Sequence, residues 1–226
     1  MRSLFLLLLL AACARPLSTG EAGYAATLFG DQLATRAVQV APFRALTTLT
    51  QRRPARPRVA CRERIWPAPE STGGMVTTYT AAFVSFNRIN IAAQLYLDDY
   101  MPAWPRALSL PAAMLLAHEM THVWQWQNRD RTGYSPLKAL REQRPGRDPY
   151  LLALDSQPDF LSFPFEQQAA IVEEYVCCRH LDPEGGRTGR LHGMLSEAMP
   201  VAALDSLPDS AVALPWKGAQ TAGICS

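Results

Sequence analysis

The stretch MLLAHEMTHVWQWQ, residues 114–127, limits the fold more than any other part of the chain. It is apolar or aromatic almost throughout, yet it carries His118, Glu119 and His122. On a helix His118 and His122 stand about 40° apart, one turn from each other. Leu115 and Gln125 share their face. Leu116, Met120, Val123 and Trp124 lie opposite and are expected to enter the core. The helix is therefore expected to bury its back and present two imidazoles along its front. Two ring nitrogens at this spacing can hold one zinc ion at about 2.1 Å each. Glu119 is turned about 100° from His118, which sets its carboxylate beside a metal rather than on it. There it can accept a proton from a water and pass it on. The bland alternative is a core helix with chance histidines. The chain has only 4 histidines. Two of them fall here, next to a glutamate that would need a partner if buried, and this favours the metal.

His118-Glu119-x-x-His122 on a helix resembles the H-E-x-x-H motif of zincin metallopeptidases. Such a site needs a third protein ligand. The metzincin class takes it from H-E-x-x-H-x-x-G-x-x-H, but positions 125 and 128 are Gln and Asn, which excludes that class. The gluzincin class takes it from a glutamate on a second, downstream helix, with small residues that let the two helices close up. FPFEQQAAIVEEY, residues 163–175, meets that requirement, with Glu166 near a helix start and Ala169 and Ala170 following it. Glu173 lies about 20° off the same face. It is expected to orient a ligand histidine from behind, and it is also the rival for the ligand role itself. Glu174 lies further round and is expected in solvent. Without a metal, Glu166 would be a surface residue favoured by the helix dipole.

In sum, the chain resembles small bacterial gluzincin-type zinc peptidases, some labelled Vgr-related. More distantly it is similar to the core metallopeptidase domain of contractile injection systems, whose H-E-x-x-H-x-x-Q pattern Gln125 matches, behind the ligands. The likeness covers mainly residues 110–128 and 160–176, with a weaker one in TGEAGYAATLFGD. It implies peptide-bond hydrolysis, with Zn2+ on His118, His122 and Glu166, Glu119 as general base, and a peptide or protein as substrate. Tyr134, Tyr150, His180 and His192 are candidates to donate to the oxyanion. Tyr175 falls on the far face of the Glu166 helix. The alternative function is a non-catalytic, zinc-stabilised envelope lipoprotein that binds a partner protein.

The chain opens MRSLFLLLLLAACARP, with Arg2 ahead of an apolar run from Leu4 to Ala12. That run is far shorter than the roughly 20 residues a membrane span takes, but it suits a signal peptide. Leu10-Ala11-Ala12-Cys13 resembles the lipobox of bacterial lipoproteins, in which cleavage precedes a cysteine that is then lipidated. The likeness implies a signal over residues 1–12, lipidation at Cys13, an anchored segment with a helix over 13–34, and the zincin-like domain over 35–226. Ala14 after the cysteine implies an outer-membrane anchor facing the periplasm. An ordinary cleaved signal with an incidental cysteine is the alternative. Export implies an oxidising compartment, so Cys61, Cys177, Cys178 and Cys225 are expected to form disulfides. A bond between neighbours Cys177 and Cys178 would be strained. Each is expected to reach for Cys61 or Cys225, which leaves two pairings open. The absence of a C-x-x-C spacing argues against a cysteine metal site.

The remaining patterns suggest an α+β fold. Ser18 and Glu21 form a capping box for a helix over about 20–29, ended by Gly30-Asp31. TRAVQVA, residues 35–41, alternates as a strand does. Residues 51–69 hold Arg52, Arg53, Arg56, Arg58, Arg62 and Arg64 among prolines. Such a run can bind anions, but it lacks helical spacing and interleaved aromatics. A solvated loop is expected, with no nucleic-acid partner, and a net charge of +2 names none either. Residues 75–86 and 88–97 suggest strands, or a strand then a helix, with a turn at Asn87. Ser109 and Pro111 are expected to start the histidine helix. A weak helix over 136–143, a loop over 144–163, a helix begun by Ser162 and Pro164, and a short helix over 188–198 complete the expectation.

Overall fold

The structure, a computed structural model, describes residues 14–44, 50–142, 148, 150 and 159–226. The signal segment and Cys13 lie outside the described residues, as does most of the loop expected over 144–163. The architecture is mixed α+β.

Its first strand, β1 (Arg15–Pro16), leads directly into helix α1 (Thr19–Phe29). The capping box forms as expected: the Glu21 amide donates to Ser18 Oγ at 3.1 Å and the Ser18 amide to Glu21 Oε2 at 2.8 Å. Glu21 is fully buried and also accepts from Arg15 and from the Tyr100 amide, so one carboxylate ties strand, helix and a distant loop together. Gly30, at φ 51°, ends the helix in a conformation that disfavours side chains.

The main sheet runs β1, β2 (Gln39–Phe43), β6 (Arg88–Ala92), β5 (Ala82–Ser85). β2 and β6 are parallel and the two outer pairings antiparallel. The strand expected over 35–41 is corrected: Thr35–Ala37 is a single 3-10 turn and pairing begins at Gln39. The Val38 amide donates to the Thr35 carbonyl, so that stretch is closed on itself before the ladder starts. Pro42 is tolerated inside β2 because β1 reaches only Gln39 and Val40, leaving no ladder bond for it to break on that side. The expected run over 75–86 splits into two strands in different sheets. β3 (Thr50–Pro54) pairs with β4 (Met75–Tyr79), while β5 turns through Phe86 and Asn87 into β6. A short parallel pair, β7 (Ala107–Ser109) with β8 (Ala211–Ala213), brings the tail to the start of the histidine helix.

The arginine-rich loop is also corrected. Part of it is β3, and Cys61–Arg64 form a helical turn, α2, in which Arg62 is 6% exposed. Burial is possible because carboxylates await it. Arg62 meets Glu173 at 2.9 Å, and Arg56 meets Asp148 at 2.5 Å. Two disulfides resolve the open pairing as Cys61–Cys177 and Cys178–Cys225.

The histidine helix, α3 (Leu110–Gln127), starts with proline in its first turn, although the Ser109 hydroxyl makes no capping bond. Leu116, Met120, Val123 and Trp124 are fully buried, as their face requires. α3 lies on β5 and β6, and on its other side α6 (Phe165–Leu181) packs against it in the most extensive helix–helix contact of the fold. Ala169 and Ala170 are fully buried in α6. Two short helices, α4 (Arg129–Thr132) and α5 (Pro136–Glu142), turn the chain from α3 towards α6. Ser162 does not start α6. The Glu142 carboxylate caps it instead, accepting from the Phe165 and Glu166 amides at 3.1 Å each. The last helix, α7 (Gly186–Ala198), packs on α6. Among the described residues no helix is long and apolar enough to cross a membrane.

Glu174 is not in solvent. It is fully buried and accepts from the Cys61 and Arg62 amides at 2.8 and 3.1 Å and from Arg187 at 3.0 Å. These donors come from two other elements, which one helical wheel cannot display. Glu174→Ala strands all three, and unfolding in urea is expected to show a loss of about 2–4 kcal/mol.

Candidate metal centre

The contact between α3 and α6 brings the expected ligands together. One donor atom from each of His118, His122 and Glu166 falls within 4.8 Å of the other two. Glu166 Oε2 stands 3.6 Å from His118 Nε2 and 3.4 Å from His122 Nε2. A tetrahedral ion with arms of about 2.05 Å needs its ligand atoms about 3.3 Å apart, so the observed spacing suits zinc. All three residues are buried, at 7–8% exposure. His118 and His122 come from one face of α3 one turn apart, and Glu166 comes from the first turn of α6, which Glu142 holds by its backbone.

Each imidazole is held from behind. His118 Nδ1 faces Glu173 Oε2 at 3.4 Å, and His122 Nδ1 faces Gln125 Oε1 at 2.9 Å. Such contacts fix ring orientation and tautomer and leave the other nitrogen for a metal. Glu173, the rival for the ligand role, therefore sits behind His118, on the side away from Glu166. Gln125 spends its amide on Gln168 Oε1 and the Phe165 carbonyl, both at 3.0 Å, and Gln168 in turn donates to the Phe163 carbonyl at 2.8 Å. This chain of amides locks the register of α3 against the start of α6.

The histidines and glutamates of the cluster are strongly coupled. Burial opposes charge on His118, but Glu166 and Glu173 outweigh it and push its pKa up to about 10. His122 is raised in the same way, against burial, by Glu166. Burial would push Glu166 up, yet His122 and His118 hold it well below the usual carboxylate range. Glu173 is held at about 2 against burial, by Arg62 first and then by His118. Glu119 behaves differently: burial raises it, despite both histidines. Its Oε2 is buried with no hydrogen-bond partner among the described residues. A water, metal or substrate at the site would relieve that atom, and this orphaned oxygen is the second sign that the centre is built to hold something.

The expected oxyanion donors separate. Tyr134 packs its ring on Phe165 at 5.0 Å. Burial, then the charges of Glu166 and Glu119, push its phenol up to about 12. The Tyr150 ring lies 5.7 Å from that of His118, beneath the Arg56 guanidinium. His180 is excluded. It follows Glu166 by 14 positions on α6, about 21 Å along the axis, and is stacked on Tyr24, where burial and Arg179 push its pKa down to about 3. His192 is excluded with it, lying against Tyr175 on α7. Arg62, Gln168 and Glu142 escaped the sequence. Nothing in their spacing marks them, because each acts across a contact between elements remote in the chain.

Comparison with protein-family models, with curated proteins and with solved structures finds no match to this chain.

A centre of this kind is expected to take up one zinc ion per chain, measured by elemental mass spectrometry. Glu166→Ala should abolish stable uptake, whereas Gln125→Leu should keep the stoichiometry and weaken affinity by about 10–100-fold.

Proposed function

We propose that the protein is a gluzincin-type zinc metallopeptidase that hydrolyses peptide bonds in the bacterial envelope. The observation that carries this reading is the convergence of His118, His122 and Glu166 at tetrahedral spacing with the unsatisfied carboxylate of Glu119 beside them. When bound, zinc supplies the Lewis acidity that activates water and polarises a carbonyl.

The chain's own groups do the rest. Glu119 accepts the proton of the attacking water on its free oxygen and returns it to the departing amine. Its burial suits this, since a carboxyl raised above its ordinary value exchanges protons nearer neutrality. Tyr134 donates a hydrogen bond from its phenol to the developing oxyanion. Glu173 and Gln125 keep the two imidazoles aimed. A binding protein needs zinc ligands but has no use for a general base held without a partner.

Two disulfides support an exported protein, because such bonds persist in oxidising compartments. Among the described residues the first element is β1, which starts at Arg15, two positions after Cys13 in the chain. A lipid on that cysteine would hold the domain against the membrane. Its substrate is a peptide or protein within reach of that surface.

Glu119→Gln should retain zinc and lose hydrolysis of an unstructured protein substrate by at least about 10³-fold, and Tyr134→Phe should lower kcat by about 10²–10³ with zinc retained. Zinc-loaded protein with no turnover would instead favour a zinc-stabilised lipoprotein that binds a partner, and turnover that survives Glu119→Gln would overturn Glu119 as the general base.

A further inference from the structure

We propose that Arg62 is a positioning residue for the metal centre, set in place by the Cys61–Cys177 disulfide. This inference rests on the zinc reading above and deepens it. Arg62 lies 104 positions before Glu166 in the chain, and no motif includes it. Its guanidinium is nonetheless buried and divided between two parts of the site. Nη1 donates to Glu173 Oε2 at 2.9 Å, and Nη2 donates to the Tyr150 carbonyl at 2.5 Å. The Glu173 oxygen that Arg62 holds is the one facing His118 Nδ1 at 3.4 Å. The Tyr150 ring lies against the same imidazole. Arg62 thus fixes both groups that lean on His118 without touching the metal ligands.

What holds Arg62 is equally specific. α2 is a single turn, too short to be stable alone. It is bonded to α6 through Cys61–Cys177, and its first amides, Cys61 and Arg62, both donate to Glu174. Glu173 and Glu174 therefore divide the work: one clamps the backbone of α2, the other receives its side chain. Cys177 is one turn beyond Glu173 on α6, so the covalent anchor and the ion pair lie on neighbouring turns of one helix.

The sign of the effect separates positioning from simple charge. A guanidinium near a cation site repels the cation, so its removal by charge alone would tighten zinc binding. A positioning role predicts the opposite, because Glu173 released from Arg62 no longer aims His118.

The experiment measures zinc affinity of the full chain by competition with a chromophoric chelator, and the d–d spectrum of the Co2+ form. Arg62→Met is expected to weaken zinc by about tenfold or more and to shift the cobalt spectrum, with Arg62→Lys recovering part of both. Glu173→Gln should weaken zinc comparably, and adding Arg62→Met to it should change little further. Removing the disulfide as Cys61→Ala with Cys177→Ala should match Arg62→Met, again without additivity. Equal or tighter zinc binding by Arg62→Met with an unchanged spectrum, or full additivity with Glu173→Gln, overturns the proposal while leaving the zinc site standing. Wild-type protein that takes up no zinc overturns the underlying reading, and this one with it.

Discussion

The fold depends on placing two imidazoles and three carboxylates inside the contact between two buried helices. Polar groups there are costly unless every one meets a partner. The structure answers by building outward: His118 and His122 face Glu166, Glu173 and Gln125 stand behind them, and Arg62 and Gln168 stand behind those. The small residues Ala169 and Ala170 are buried on α6. Remote segments are recruited to the same end. α2 arrives through a disulfide, and α5 arrives through the Glu142 cap on α6.

Glu119 Oε2, at the centre of this network, is buried and carries no hydrogen bond among the described residues. Its cost is acceptable if the oxygen meets a partner during the protein's work, and a water beside a metal would be that partner.

A second cluster, at the opposite end of α6, shows how a cation can be buried without a metal or a carboxylate. Arg179 lies between the rings of Tyr24 and Tyr175, at 4.9 and 5.6 Å, and donates to Thr27 Oγ1. It stands in the last turn of α6, where the helix dipole favours positive charge. His180, held neutral beside it, belongs to this packing unit. The two histidine environments on these helices therefore differ because one faces glutamates and the other faces an arginine.

Much of this was legible from local pattern. The His118, Glu119 and His122 register follows from the pitch of a helix, the core face of α3 from hydrophobic periodicity, the α1 cap from Ser18 and Glu21, and the avoidance of a Cys177–Cys178 bond from geometry. The choice of Glu166 as ligand with Glu173 behind His118 came from the spacing of one helix together with a resemblance. The sequence could not decide what depends on docking. It placed Glu174 in solvent and the arginines in a loose loop, because a wheel shows which way a residue faces but not what it meets. It also left the disulfide pairing open, because neighbouring cysteines differ only in the direction each leaves the helix. Only the tertiary structure decided that Arg62 meets Glu173 and that Glu142 caps the helix carrying Glu166. The physical reason is that local spacing determines which groups share a face, whereas the partners that make burial of those groups tolerable come from wherever the chain returns.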